Sequence, residues 1–415
     1  MEHKTPDYAR RNYLAHFIDG GLFMGGMAFI AADSVLPAAV SQLGGPNWLI
    51  SLMPILGFIG FIWPPIFTAG LIERCSRMKP LCLISGIPQR LPFLIAGLIL
   101  IWKGEEDPML ALIAVAATPL ISGMFGGLTM PAWIQLMAKT VRAQRRSSLT
   151  GMRNTLGALI GILAAIVVKH VLENYPGATG FGILYLACFS VMAISWLFFS
   201  TIKEVPTVSS KEPGPFDLKR YVKDLVTLAV EDKLFRLFCV MRVFGQSFFM
   251  SLPFVAISVL DAGKLNDSFL GVLVGTQVAG SIIGNLVGAY FGDRHGGKIV
   301  ILMSRILLFL AVAMMIHPAA ATGIAFFFFF GIGNSLSQIG AVTLMMEMAP
   351  EETRPSYTAL AMFVAAPSML LFTLLGSVLW SAFGSIQLLA MVGLFGMGIS
   401  LILLLRVPEP RKSAV

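Results

Sequence analysis

A short basic loop occurs twice in this chain, 220 residues apart, each time directly after a long apolar stretch. The first copy reads Ala69-Gly-Leu-Ile-Glu73-Arg74-Cys-Ser-Arg77-Met-Lys79 and the second Ala289-Tyr-Phe-Gly-Asp293-Arg294-His-Gly-Gly297-Lys298. Each carries an acid-Arg pair and then a Lys. The same offset sets Gly60 on Gly280 and Asn47 on Asp267, so the repeat extends into the preceding segments. A second loop pair, Val141-Arg-Ala-Gln-Arg145-Arg-Ser147 and Pro350-Glu-Glu-Thr-Arg354-Pro-Ser356, recurs at an offset of 209. A chain that repeats its loops in the same order repeats its fold, so any architecture must be built from two parallel halves.

Composition decides what those halves are made of. Hydrophobic residues make up 56% and charged residues 13% of the 415 positions, whereas a soluble domain is about one quarter charged. A spanning helix needs roughly 20 mostly apolar residues, and twelve such stretches are present, at 13–40, 47–72, 80–102, 108–137, 148–170, 180–201, 236–260, 268–291, 298–317, 319–348, 356–381 and 384–406. The expectation is an all-α integral membrane protein of twelve transmembrane helices in two pseudo-symmetric six-helix bundles. Residues 1–202 form the first bundle, 203–233 a linker and 234–415 the second.

An even number of spans puts both termini on one side. Loops on that side hold Arg10, Arg11, Arg74, Arg77, Lys79, Lys139, Arg142, Arg145, Arg146, Arg294, Lys298 and Arg354, while the opposite loops offer only Lys103, Lys169 and Lys264. Basic residues are retained on the cytoplasmic face, which predicts cytoplasmic termini and residence in the inner (cytoplasmic) membrane. The formal charge of +8 therefore sets topology rather than nucleic-acid binding. The first apolar stretch is too long for a cleavable signal core. Cys75, Cys82, Cys188 and Cys239 lack metal-ligand spacing with His and are expected as free thiols. Neither a metal nor another cofactor is expected.

Within the linker, Leu218, Tyr221, Val222, Leu225 and Leu228 recur at helical spacing, with Lys219, Arg220, Lys223 and Asp224 elsewhere around the turn. That pattern predicts a helix lying in the headgroup region and tethering the two halves. Gly292 to Lys298 also reads as a near match to a phosphate-binding loop, but Ile299 stands where a Ser or Thr would hold magnesium, and a membrane helix precedes it instead of a strand. An ATPase is excluded on those grounds. An integral-membrane enzyme is disfavoured, because no His-rich, Asp-rich or nucleophile-base constellation lies at a consistent depth.

The Gly292-Asp293-Arg294-His295-Gly296-Gly297-Lys298 loop, its altered first-half copy and the duplicated spans resemble the major facilitator superfamily over nearly the whole chain, from about Asn12 to Arg406. In the first copy Glu73 replaces the usual Asp, Ser76 the usual Gly, and one extra residue precedes Lys79. Two family marks are missing: the membrane Arg of helix four, and the Gly-Pro of proton-coupled drug exporters in helix five, where Gly157 and Gly161 stand instead. The resemblance implies a conformational latch formed by Glu73, Arg74, Lys79, Asp293, Arg294, Gly296, Lys298, Arg145 and Arg354. It also implies a central cavity lined by helices one, four, seven and ten, with three, six, nine and twelve as outer support.

An ionisable side chain near mid-membrane costs roughly 2.5 to 3.5 kcal/mol on insertion scales, so those inside the spans need a partner or a water-filled cavity. Helix one carries His16, Asp19 and Asp33, helix three Arg90, helix five Arg153, helix seven Arg242 and helix nine Arg305. Asp19, His16 and Asp33 are the proton-coupling candidates. Arg242 is the expected partner of Asp19, since the repeat offset places Asp19 on Cys239, one turn from it. By helix position, Arg90 and Arg305 are expected to brace the scaffold. Arg242, Gln246, Arg153, Asn154, Asn334, Gln338 and Gln277 are the substrate-binding candidates. The spacing of Gln277, Ser281 and Asn285 also fits interhelical hydrogen bonding. Gly21, Gly25, Gly157 and Gly161 are read as close helix packing.

The reading is a monomeric secondary transporter that moves a small solute by alternating access. Proton coupling through Asp19 is one form of it. Two positive residues against one deep carboxylate favour an organic anion or zwitterion. Efflux of amphiphilic compounds is the alternative, and a non-transporting ligand sensor or accessory membrane protein is the alternative of another class.

Overall fold

The computed structural model describes residues 8–32, 35–206, 218–264 and 269–408. Its helices are α1 (Ala9–Met27), α2 (Val35–Gln42), α3 (Asn47–Ile62), α4 (Pro64–Ile72), α5 (Lys79–Lys103), α6 (Pro108–Thr140), α7 (Arg146–Asn174) and α8 (Ala178–Ser200). They continue as α9 (Leu218–Glu231), α10 (Lys233–Gly245), α11 (Leu252–Gly263), α12 (Phe269–His295), α13 (Gly297–Met314), α14 (Ala320–Met348), α15 (Arg354–Phe383) and α16 (Ile386–Arg406). Among the described residues there is no strand, and eleven segments are long and apolar enough to cross a membrane. The 27-residue α12 fills the place of the eighth expected span. The protein is a multi-pass membrane protein.

Among the described residues three spans are interrupted. Pro64 ends α3 at Trp63 and restarts the chain as α4, because a proline ring excludes the preceding helical hydrogen bond. The first and seventh spans break in the same manner: α1 passes through a 3₁₀ turn at Ala28–Ile30 before α2, and α10 through one at Ser247–Met250 before α11. The repeat-related spans thus share a break as well as a loop.

Contacts divide the chain into two compact units. Unit one takes the described residues of 1–142, 152–218 and 351–359, and unit two those of 143–151, 219–350 and 360–415. Each unit therefore includes the opening residues of a helix, α15 or α7, that otherwise belongs to the other.

Packing inside each unit follows one plan. In unit one, α5 packs on α6 and α8, α3 on α6, and α1 on α8; in unit two, α13 packs on α14 and α16, α12 on α14, and α10 on α16. These are the same pairs of spans, third with fourth and sixth, second with fourth, first with sixth. The aligned glycines Gly60 and Gly280 show why the register is kept. A Cβ at Gly60 would lie 2.4 Å from the Leu120 carbonyl oxygen, and one at Gly280 would lie 2.2 Å from that of Phe328. Only glycine lets the second and fourth spans of each unit touch backbone to backbone, the usual device where lipid removes any hydrophobic drive between helices. Gly21 and Gly25 of α1 pack on Leu156 and Ile160 of α7, and Gly157 on Met24, as the sequence suggests.

Each unit has its own apolar core. Phe93, Leu100, Val115, Phe181, Tyr185 and Met192 centre the first, and Phe248, Val259, Leu308, Phe326, Phe330 and Leu389 the second. Within the run Phe326 to Phe330, the rings of Phe326 and Phe330 stack at 5.8 Å.

Candidate functional site

Unit one holds a partly open cavity of about 230 Å³ lined by residues of α1, α3, α5, α6, α7 and α8. Asp19, Arg90 and Arg153 are its charged lining, and Phe23, Phe61, Trp133, Trp196 and Phe199 supply aromatic walls. Gln89, Thr129 and Met130 complete one side.

Asp19 is buried, 5% exposed. Its Oδ1 accepts a hydrogen bond from the Ser195 hydroxyl at 2.7 Å and lies 3.9 Å from Arg90 Nη2. Within unit one these partners follow from the packing, because α1 packs on α8, which carries Ser195, and Arg90 reaches the same point from α5. Arg90 does more than brace the scaffold. It donates to the Met192 carbonyl from Nε at 2.9 Å and to the Gly86 carbonyl from Nη1 at 3.0 Å, and its guanidinium lies over the Phe23 ring at 5.3 Å. Two backbone carbonyls thus hold Nε and Nη1, while Nη2 is turned to the Ser195 hydroxyl, at 3.4 Å, and to Asp19.

Arg153 is differently placed. Its guanidinium lies over the Trp133 ring at 4.6 Å, and its buried Nε has no hydrogen-bond partner. Gly20 makes room for it, since a Cβ there would fall 1.5 Å from Arg153 Nε. A cation stacked on an indole with an unused donor is an arrangement that can take an anionic group. Asn154, the next residue, is half-buried.

The other proton candidates separate from this site. His16 is fully buried one turn from Asp19, but its Nε2 meets the Thr140 hydroxyl at 3.0 Å and its ring packs edge-on against Phe199. Asp33 lies outside the described residues. In unit two, Arg242 sits over the Phe238 ring at 5.8 Å, and Gln246 caps α10 where the seventh span breaks. Arg305 bonds the Gly245 carbonyl at 3.0 Å, a bracing contact as expected. Gln277, Ser281 and Asn285 lie along α12 where it packs on α14, with the Ser281 hydroxyl 3.5 Å from the Gly331 carbonyl. Of the α14 candidates, Asn334 is half-buried and Gln338 exposed. The sequence reading missed Ser195, Trp133 and Trp196, whose types occur throughout the spans and carry no distinguishing spacing.

The repeated loops pair in a crossed manner. In unit one, the Glu73 carboxylate accepts from the backbone amide of Ser356 at 3.2 Å and from its hydroxyl. Alongside, Arg354 donates to Gln135 Oε1 at 3.0 Å, and Gln135 donates to the Glu351 carbonyl at 2.9 Å. In unit two, the Asp293 carboxylate accepts from the Ser148 amide at 3.0 Å, and Ser147 meets Thr343 hydroxyl to hydroxyl at 2.9 Å. The first copy of one loop thus holds the second copy of the other, and conversely. Asp293 lies in the last turn of α12, beyond the apolar stretch that ends at 291. Burial raises its carboxyl above the ordinary value, against the lowering effect of Ser148 and Arg145. Arg294 turns back onto Tyr290, its guanidinium 4.7 Å from the ring. Gly296, at a φ of 87°, starts α13, whose second residue is Lys298. Glu347 accepts from the Gly297 amide at 3.0 Å. Lys79 is the first residue of α5, and its amide and that of Met78 donate to Glu204 at 2.8 and 2.7 Å. Arg74 is half-buried and Arg145 exposed.

The sequence profile of the Major Facilitator Superfamily matches residues 243–415. The chain has the major facilitator fold. A bacterial homologue of the iron transporter ferroportin, crystallised in an outward-facing state, superposes with a TM-score of 0.72 at 14% identity, over 95% of this chain and 98% of that one. The E. coli fucose:proton symporter FucP gives 0.72 at 12% over 96% and 100%. The human organic anion transporter TETRAN gives 0.71 at 13% over 95% and 99%. No curated protein sequence matches the chain.

Proposed function

We propose that this protein is a secondary transporter that carries an amphipathic organic anion across the cytoplasmic membrane by alternating access, with both termini on the cytoplasmic side. The observation that carries the reading is the pairing of Arg90 and Arg153 with a single carboxylate, Asp19, in one aromatic-walled cavity. Two guanidiniums against one carboxylate leave a net positive site, which an anion neutralises at lower cost than any other ligand. The rings of Trp133, Trp196 and Phe61 suit an aromatic or otherwise apolar body attached to that anion. The likeness to a transporter of organic anions points the same way.

In this reading Arg153 holds the substrate anion, and Asp19 carries the coupling proton. Neutralising Asp19 releases the Arg90 edge that it occupies, so proton binding and substrate binding act on the same guanidinium. Glu73 and Asp293, with their crossed serine partners, serve as contacts that form and break during the cycle. The protein works as a monomer.

Counterflow in reconstituted vesicles tests the reading. Preloaded aromatic carboxylates or sulfonates should drive exchange and compete with one another, while organic cations should not. Exchange restricted to cations would overturn it, and binding without any flux would assign the chain to ligand sensing instead. Efflux of amphiphilic anions uses the same aromatic walls, and comparing the two vesicle orientations separates it from uptake.

A further inference from the structure

A second cavity, of about 460 Å³, opens where α5 enters the membrane. Tyr8, Arg77, Lys79, Lys203 and Glu204 line it with Leu83 and Ile202. Its single carboxylate is already committed: both oxygens of Glu204 accept backbone amides at the start of α5, from Met78 at 2.7 Å and Lys79 at 2.8 Å. The cations are not matched by it. Lys203 Nζ lies 5.8 Å from the Tyr8 ring centre, and neither Arg77, Lys79 nor Lys203 forms an ion pair within 4.0 Å among the described residues. Glu204 is therefore spent on the helix terminus, and the pocket keeps a net charge of +2 from these four side chains.

The lower wall is apolar and leads into the bilayer. Pro80 and Leu83 follow Lys79 on α5, and below them Ile84 is 70% exposed and Ile87 46% exposed on the same helix. Ile194 and Leu197 are exposed on α8, which packs on α5. A basic recess at the membrane boundary, continued by an outward apolar ridge, matches one class of molecule in both parts: a phosphate headgroup with acyl chains beneath it.

We propose that the recess formed by Arg77, Lys79 and Lys203 binds the phosphate headgroup of an anionic lipid in the leaflet that α5 enters at Lys79. The site lies apart from the Asp19 cavity and does not depend on the transported solute.

Native mass spectrometry of the purified full chain tests this, with phosphatidylglycerol, phosphatidylcholine and inorganic phosphate as separate probes. Phosphatidylglycerol should bind in preference to phosphatidylcholine, and inorganic phosphate should neither bind nor displace it. The combined variant Arg77→Gln, Lys79→Gln, Lys203→Gln should weaken that binding about a hundredfold, at roughly fivefold per charge near a membrane surface. Lys103→Gln with Lys169→Gln, two exposed charges at the far end of α5 and on α7 that pair with Glu106 and Glu173, should leave it unchanged. Equal binding of both lipids, full displacement by inorganic phosphate, or unaltered binding to a folded triple variant would each overturn the proposal. Thermal melting in detergent reports whether the variant is folded, and Arg77→Gln alone, at an exposed position, gives the same test with a fivefold effect.

Discussion

Asp19 Oδ1 lies 3.9 Å from Arg90 Nη2 and 2.7 Å from the Ser195 hydroxyl, so an acid of the first span is held between the third and sixth. At 3.9 Å the ion pair is at the long end of direct contact, whereas the Ser195 bond is short and Arg90 has two carbonyls of its own. The pair is thus separable from one side: Arg90 can lose Asp19 and keep two carbonyls, whereas Asp19 without Arg90 keeps the Ser195 hydroxyl but loses its direct ion pair.

That separability sets the first prediction. Asp19→Asn retains an oxygen for Ser195 and leaves Arg90 on the Met192 and Gly86 carbonyls, so the protein should fold. Proton-driven accumulation should be lost while substrate exchange across equal pH is retained. Arg90→Leu is the contrast, because it strips a buried charge from Asp19 and should destabilise by about 3 kcal/mol or more. Exchange and accumulation falling together in a folded Asp19→Asn protein would show that Asp19 has no separate coupling role.

The second prediction concerns Arg153. Gly20→Ala inserts a methyl where Arg153 Nε lies, and must push the guanidinium off Trp133 without altering any charge. Anion affinity should fall about ten- to hundredfold, the range of one charge-assisted hydrogen bond. Arg153→Gln should do the same, and the double variant should be no worse than either single one. An additive double variant, read by calorimetric titration with a transported anion, would place the anion elsewhere.

The fold was legible because its signals are periodic or repeated. Apolar runs of span length and the Gly60–Gly280 register each follow from what lipid demands of a backbone. The site was legible only in part. Asp19 and Arg153 stood out as charges with no apolar reason to be there, but Arg90 was set aside by helix position, and nothing marked Ser195 among the many serines of the spans. A side chain as long as arginine reaches across a helix packing distance, so the helix that bears it does not settle where its charge resides.

Stability offers a third prediction that does not depend on the substrate. Gly60→Ala and Gly280→Ala each drive a methyl into a carbonyl oxygen of the facing helix, and each should cost about 1–3 kcal/mol. Gly275→Ala and Gly398→Ala meet nothing within 4 Å and should be close to neutral. Thermal melting of the four purified variants checks the contrast. Equal melting of Gly280→Ala and Gly275→Ala would mean that the second and fourth spans do not approach as closely as described.

The last prediction turns on the pH response of Asp293. Burial penalises its charged form, and although Ser148 and Arg145 act in the other direction, the net shift is upward from 3.8. An acid with a raised folded-state value binds its proton more tightly when folded. Its contribution to stability is therefore greatest below the unfolded value, near 4, and is lost as pH rises through the folded value. Asp293→Asn removes that titration but keeps an oxygen to accept the Ser148 amide. The variant should melt with a flatter pH dependence above pH 4 and be slightly more stable than the parent at neutral pH. Transport should nevertheless fall, because the crossed contact between Asp293 and Ser148 would then hold without the desolvation cost that helps release it. A variant less stable at neutral pH, with an unchanged slope, would show that the Ser148 contact outweighs burial and that Asp293 is bound as a permanent anion.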